Sequence, residues 1–277
     1  MAGIQTIGAE GIITSWAGTN NGTILTALGE HSASLDMTND AADRTQYASG
    51  LKAMSSGPGL RSWGGTISGR LLTSSVPQVG YVGNLAVSSA TDTYVTHVRS
   101  WSATITAIEL DVTEYNSAAT TAGWRSFRPG LVRLTGTFEA LVDDATVLKP
   151  PYMATTTLPT LTLTLTTGNT LAFSAIVSQM GLAIPVGDLN RVTYSFESTG
   201  DITAAGTGNL FPAATIDIPT WDATPDGVAD TTLVFQAAAS RTFTGAAFWT
   251  SIGITHNPAA YIDVAVQYRG SGALTIG

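Results

Sequence analysis

The chain has 277 residues, 44% of them hydrophobic and only 12% charged, with a formal net charge of −8 and no cysteine. That charge share is about half the usual one, and twelve scattered Lys and Arg make no basic patch of the kind a nucleic-acid binder brings to phosphate. The absence of cysteine excludes disulfide frameworks and thiolate metal sites.

Polarity comes instead from 43 Thr and 29 Gly, with Ser and Asn adding to it. Thr favours strands and Gly favours turns, so the composition implies an all-β chain with little helix. Residues 1–18 lack the basic and apolar regions of a signal peptide, and no apolar run approaches the length of a membrane-spanning helix. The aromatic residues are spread without the paired belts of a membrane barrel, so no membrane partner is expected.

In chain order, residues 11–35 read as strand leading into Ser34–Asp40 ("SLDMTND"), with a hairpin turn at Asn20-Asn21-Gly22. Asn21-Gly22-Thr23 also matches a glycosylation acceptor, but the turn reading has priority. Gly57-Pro58-Gly59 punctuates before "RSWGGTISGRLL". Residues 94–112 alternate, with Val95, His97, Arg99, Trp101, Ala103, Ile105 and Ala107 on one register, and end in "ELDVTEY". Residues 143–152 allow a turn or two of helix before Pro150. "TLTLTLTTGN" (160–169) puts Leu161, Leu163 and Leu165 on one face, then turns at Gly168-Asn169. "RVTYSFES" (191–198) and "AYIDVAVQYRG" (260–270) also alternate.

Two internal repeats organise these pieces. The phrase Leu-Asp-x-Thr occurs at 35–38 and 110–113, followed in each case by a Gly-Leu pair (Gly50-Leu51, Gly130-Leu131) and a Gly-Thr-led strand. Downstream, 170–203 aligns without a gap on 242–275, and Gly181/Gly253, Val192/Val264 and Gly200/Gly272 are identical. The order front, front, back, back implies nesting: one unit from 1–78 plus 225–277, and a second, 79–224, inside it. Interleaved pairing of the same halves is the alternative.

The unit built from "LDVT", an aromatic, a Gly-Leu step, a Gly-Thr strand, "AFSAIVSQMGLAIPVGD" and "VTYSFESTGDIT" resembles a bacteriophage major tail tube protein of the long, non-contractile type. The resemblance spans roughly 10–142, 160–205 and 231–277. It implies two fused antiparallel β-sandwich units, a virion structural role without catalysis, and assembly in the host cytoplasm into stacked rings. Three chains would make a ring with pseudo-sixfold symmetry, a hexamer of chains being the alternative. The lumen would hold a tape-measure protein and pass DNA without gripping it, and other tail proteins would bind the ends. A tail terminator, a capsid decoration protein and an extracellular carbohydrate-binding β-sandwich module are the competing readings.

No catalytic constellation and no cofactor site stands out. Asp36 and Asp111 are either lumen or interface carboxylates, or local Asp-x-Thr hydrogen-bonding devices involving Thr38 and Thr113. Trp63, Trp124 and Trp249 either anchor subunit contacts or fill the core. Asp222, Asp226 and Asp230 read as a polar linker rather than a calcium loop, because the EF-hand spacing is missing. His31, His97 and His256 have no partner at metal-ligand spacing.

Overall fold

The computed structural model describes residues 9–16, 19–28, 31–43, 56–73, 76–77, 84–88, 98–113, 123–142, 158–166, 168–206, 215–216, 232–238, 240–256 and 260–277. His97, the three linker aspartates and the 143–152 turn lie outside them.

The first third of the chain contributes β1 (Ala9–Trp16), α1 (Thr19–Leu28), β2 (His31–Asp43), β3 (Ser56–Arg70), and the short β4 (Leu72–Thr73) and β5 (Val76–Pro77). The middle contributes β6 (Asn84–Ser88), β7 (Val98–Asp111), β8 (Phe127–Leu141), β9 (Thr160–Thr166), β10 (Asn169–Ala183) and β11 (Arg191–Ala205). The last part holds β12 (Thr215–Ile216), β13 (Thr232–Ala238), β14 (Arg241–His256) and β15 (Asp263–Ile276). The fold is all-β and antiparallel, as composition implied.

Thirteen strands join one sheet in the order β13-β1-β2-β3-β15-β14-β7-β8-β11-β10-β9-β6, with β12 attached to β11. Because β13 also pairs with β14, the first six of these strands close on themselves. The last six retrace the same sequence of partners, and β6 comes back beside β7. Strands 232–276 therefore pair with strands from 9–70, while strands 160–205 pair with strands from 84–141.

The correspondence extends to register. Leu161 faces Phe173 and Thr166 faces Asn169; 72 residues on, Leu233 faces Gly245 and Ala238 faces Arg241. The β10–β11 ladder slips between Val177 and Gln179, and the β14–β15 ladder slips between Trp249 and Ser251. Gly200 and Gly272 carry the same left-handed backbone, φ 74° and 73°.

The period-2 alternation explains the core. Leu161, Leu163 and Leu165 are fully buried, as are Trp101, Ala103, Ile105 and Ala107 along β7. Arg99 leaves that register because the ladder slips between Val98 and Ser100. Phe138, Phe173, Tyr194 and Phe196 form a chain of ring contacts at 5.1–6.2 Å in the second group. In the first, Tyr268 meets Trp16 and Trp63 edge-on at 6.1 and 6.4 Å.

The Asn20-Asn21-Gly22 hairpin is not formed, since these residues lie in α1. Gly inside a helix costs about 1 kcal/mol. Ile24 and Leu28, one helical turn apart, are both fully buried, and each such burial contributes about 1.5–3 kcal/mol. Packing of that face overrides the local turn preference. Among the described residues no helix is long and apolar enough to cross a membrane.

Candidate functional surface

Strand alternation that sends the apolar side chains inward leaves a small, hydroxyl-rich face on the other side of β2, β3, β15, β14, β7, β8 and β11. One row of cross-strand partners runs Thr66, Gln267, Ser251, Thr106 and Arg133. The next runs Ser32, Ser68, Ala265, Gly253, Thr104, Thr135 and Glu197. Hydroxyls pair across the ladders: Ser32 with Ser68 at 2.9 Å, Ser34 with Thr66 at 3.0 Å and Ser102 with Thr137 at 3.1 Å.

Two cations on this face, Arg133 and Arg191, lie beside carboxylates. Arg133 lies 3.3 Å from Glu197, and Arg191 lies 3.2 Å from Asp188 and 3.9 Å from Glu139. Arg70 covers the Tyr261 ring at 4.6 Å. Exposed pairs like these add little stability, but among the described residues they tie up cations that a phosphate-binding track would need free.

Asp36 is exposed on the same face as Ser34 and lines a shallow groove with Thr38, Thr66, Gln267 and Arg269. It makes no Asp-x-Thr device: Thr38 Oγ1 pairs with Ser62 Oγ at 2.6 Å. Below the groove the Tyr268 hydroxyl donates to the Ser34 carbonyl at 2.6 Å. Burial first, and the Asp36 carboxylate second, raise the Tyr268 pKa well above the usual phenol range.

Asp111 does form the local device. Its Oδ1 accepts from the Thr113 amide at 3.0 Å and the Thr113 hydroxyl at 2.6 Å. The Thr113 hydroxyl is the main cause holding the Asp111 pKa below the ordinary carboxylate value, with the Thr113 amide, Arg125 and Arg269 adding to it against desolvation.

Arg125 bridges Asp111, at 3.4 Å, and Asp40. Its own segment is stitched to the first strand group: the Arg61 amide donates to the Gly123 carbonyl at 2.7 Å, the Arg125 amide to the Arg61 carbonyl at 2.8 Å, and the Gly272 amide to the Arg125 carbonyl at 2.9 Å. Trp124, half-buried in this stitch, lies under Arg61 at 5.8 Å. Trp63 and Trp249 are buried inside the chain. Trp63 donates its indole N–H to the Gly272 carbonyl at 3.1 Å and packs against Gly245 and Gly270, where no side chain would fit.

The two Leu-Asp-x-Thr phrases do not occupy matching places. Gly65 and Gly136 do: each faces an aromatic 72 residues from the other, Tyr268 and Phe196. Each also abuts a serine carbonyl, Ser34 or Ser102. Asp36 faces Gly64, beside Gly65, whereas Asp111 faces Phe127, far from Gly136.

Sequence reasoning missed the joint between the strand groups. Ser251–His256 of β14 pair antiparallel with Thr106–Trp101 of β7, and Trp101 stacks on His256 with ring centres 5.4 Å apart and planes within 7°. Both residues alternate inward on their strands, which is the signal that could have linked them.

No protein-family model and no curated protein matches the chain. Among solved structures, a chain of the virion of a native gene transfer agent particle is similar at 13% identity and a TM-score of 0.34, over 44% of this chain and 95% of its own length. A chain from the tail of an empty gene transfer agent particle, refined with helical C6 symmetry, is similar at 14% identity and a TM-score of 0.33, over 47% of this chain and 96% of its own.

Proposed function

We propose that this chain is a duplicated tube subunit of a phage-like tail, a non-enzymatic virion protein whose copies form stacked rings around a channel that passes DNA. The units are 1–78 plus 225–277 and, nested between them, 79–224. The observation that carries the reading is the β7–β14 ladder, which joins two strand groups of the same partner order and register edge to edge within one chain. A joint between like units is what a ring repeats, and ring closure removes the unpaired edges that an isolated sheet presents.

Two units per chain make three chains sufficient for a six-unit ring. The hydroxyl-rich face, where Arg133 and Arg191 lie beside acids, supports a lining that DNA or a tape-measure protein slides past without specific binding. Other tail proteins would then meet the ends of the stack. Negative-stain microscopy of the purified chain tests this: hollow tubes or rings are expected, and monomers at high protein concentration would overturn it.

A further inference from the structure

The two strand groups differ in one respect that their common register brings out. On the edge of β14, β13 occupies Arg241–Ala246 and β7 occupies Ser251–His256. On the matching edge of β10, β9 occupies Asn169–Ser174, and among the described residues no strand covers Gln179–Ala183. Burial follows the difference. Ile254 and His256 are 1% and 3% exposed, whereas their counterparts Leu182 and Ile184 are 46% and 69% exposed.

The acceptor for that edge can be located by the same logic. The β2–β3 and β7–β8 ladders superpose when Gly65 is laid on Gly136, which sets Ala33–Thr38 of β2 in the place of Trp101–Thr106 of β7. Among the described residues the outer edge of β2 carries only Ala9–Gly11, opposite Leu35–Ala33. From Asp36 to Thr38 it carries no ladder among the described residues.

We propose that Gln179–Ile184 of one chain pairs antiparallel with Thr38–Ala33 of a second copy, reproducing the β14–β7 joint, with Ala9–Gly11 giving up its place on β2. The register follows from the internal joint: Gln179 faces Thr38, Gly181 faces Asp36 and Leu182 faces Leu35. The inward pairs Met180 with Met37, Leu182 with Leu35 and Ile184 with Ala33 are all apolar. Asp36 meets a glycine there, as Thr104 meets Gly253 within the chain, so the carboxylate has room at the joint. This assignment rests on the duplicated-ring reading and names the contact that closes the ring.

The absence of native cysteine makes disulfide trapping clean. The test pair is Thr38→Cys with Gln179→Cys. Thr106→Cys with Ser251→Cys, the same pair inside one chain, serves as positive control. Ser32→Cys with Gln179→Cys is the mis-registered control, displaced along β2 by about 20 Å. Oxidation is expected to link the test pair between chains into dimers and a closed trimer on a non-reducing gel, and to leave the mis-registered pair unlinked.

Rings or tubes by microscopy without a 38–179 link, or with equal linking of the mis-registered pair, would overturn this ladder and leave the ring reading standing. Monomers without a link would overturn both. Should the cysteine variants fail to fold, Leu182→Lys with Ile184→Lys, both exposed in the single chain, is expected to abolish assembly with an unchanged circular-dichroism spectrum. Intact assembly of that variant would also refute the ladder.

Discussion

The tightest packing shared by the two strand groups is at Gly65 and Gly136, and adding one methyl at either measures it. In Gly65→Ala the new Cβ falls on the Ser34 carbonyl oxygen and 2.6 Å from the Tyr268 hydroxyl oxygen. In Gly136→Ala it falls on the Ser102 carbonyl oxygen and 2.6 Å from Cζ of Phe196. Overpacking a filled site costs about 1–3 kcal/mol. Here the obstacle includes backbone of an adjacent strand, which cannot swing away as a side chain does, so each variant belongs near the upper end, about 3 kcal/mol. At about 2–4 °C per kcal/mol, each melting midpoint should fall by about 6–12 °C. Gly200→Ala and Gly272→Ala provide the contrast: with nothing near the added methyl and φ of 74° and 73°, only backbone strain of about 1–2 kcal/mol applies. Urea titration followed by tryptophan fluorescence gives all four values. If Gly65→Ala or Gly136→Ala proves milder than its positive-φ counterpart, or if one of the pair is silent, the matched packing is wrong.

Tyr268→Phe keeps the ring but removes the 2.6 Å bond to the Ser34 carbonyl; a loss of about 1–2 kcal/mol in the same titration is expected. Trp101→Ala empties a buried site at the joint between strand groups and removes the stack on His256, so a loss of about 3–5 kcal/mol is expected. Asp111 contributes in a defined pH direction. Its folded pKa lies below the unfolded value, so its stabilisation is present above the usual carboxylate range and is lost as pH falls through the folded value. Asp111→Asn should therefore be less stable than the parent at neutral pH and converge with it in acid. A constant difference from pH 7 to pH 2 in thermal scans would refute that role.

The alternation of β7, β9, β11 and β15 was legible because one face of each packs on a core, and burial enforces a period of two. The gapless correspondence of 170–203 with 242–275 was legible for a related reason: a hairpin with a bulge and a positive-φ glycine fixes its spacing. Leu-Asp-x-Thr was a poorer guide. Its two copies sit at unequal distances from Gly65 and Gly136, and only Asp111 bonds its own Thr. The positions that do match, Ser34 with Ser102 and Gly65 with Gly136, are common residue types whose meaning lies in what they touch across strands. Helix α1 was hidden because Asn-Gly favours a turn locally, and the buried face that overrules it depends on distant strands. Trp63 and Trp249 could have been surface anchors on composition alone, and their burial follows from glycines and aromatics brought in by other strands. Arg125 escaped notice because its two carboxylates, Asp40 and Asp111, belong to different strand groups.

The most direct test of the central claim is the number of chains in one ring, read by native mass spectrometry of rings released from assembled tubes and checked against the symmetry of their end-on projections. Three chains with six similar lobes are the predicted result. Six chains per ring would contradict the account of one chain carrying two ring units.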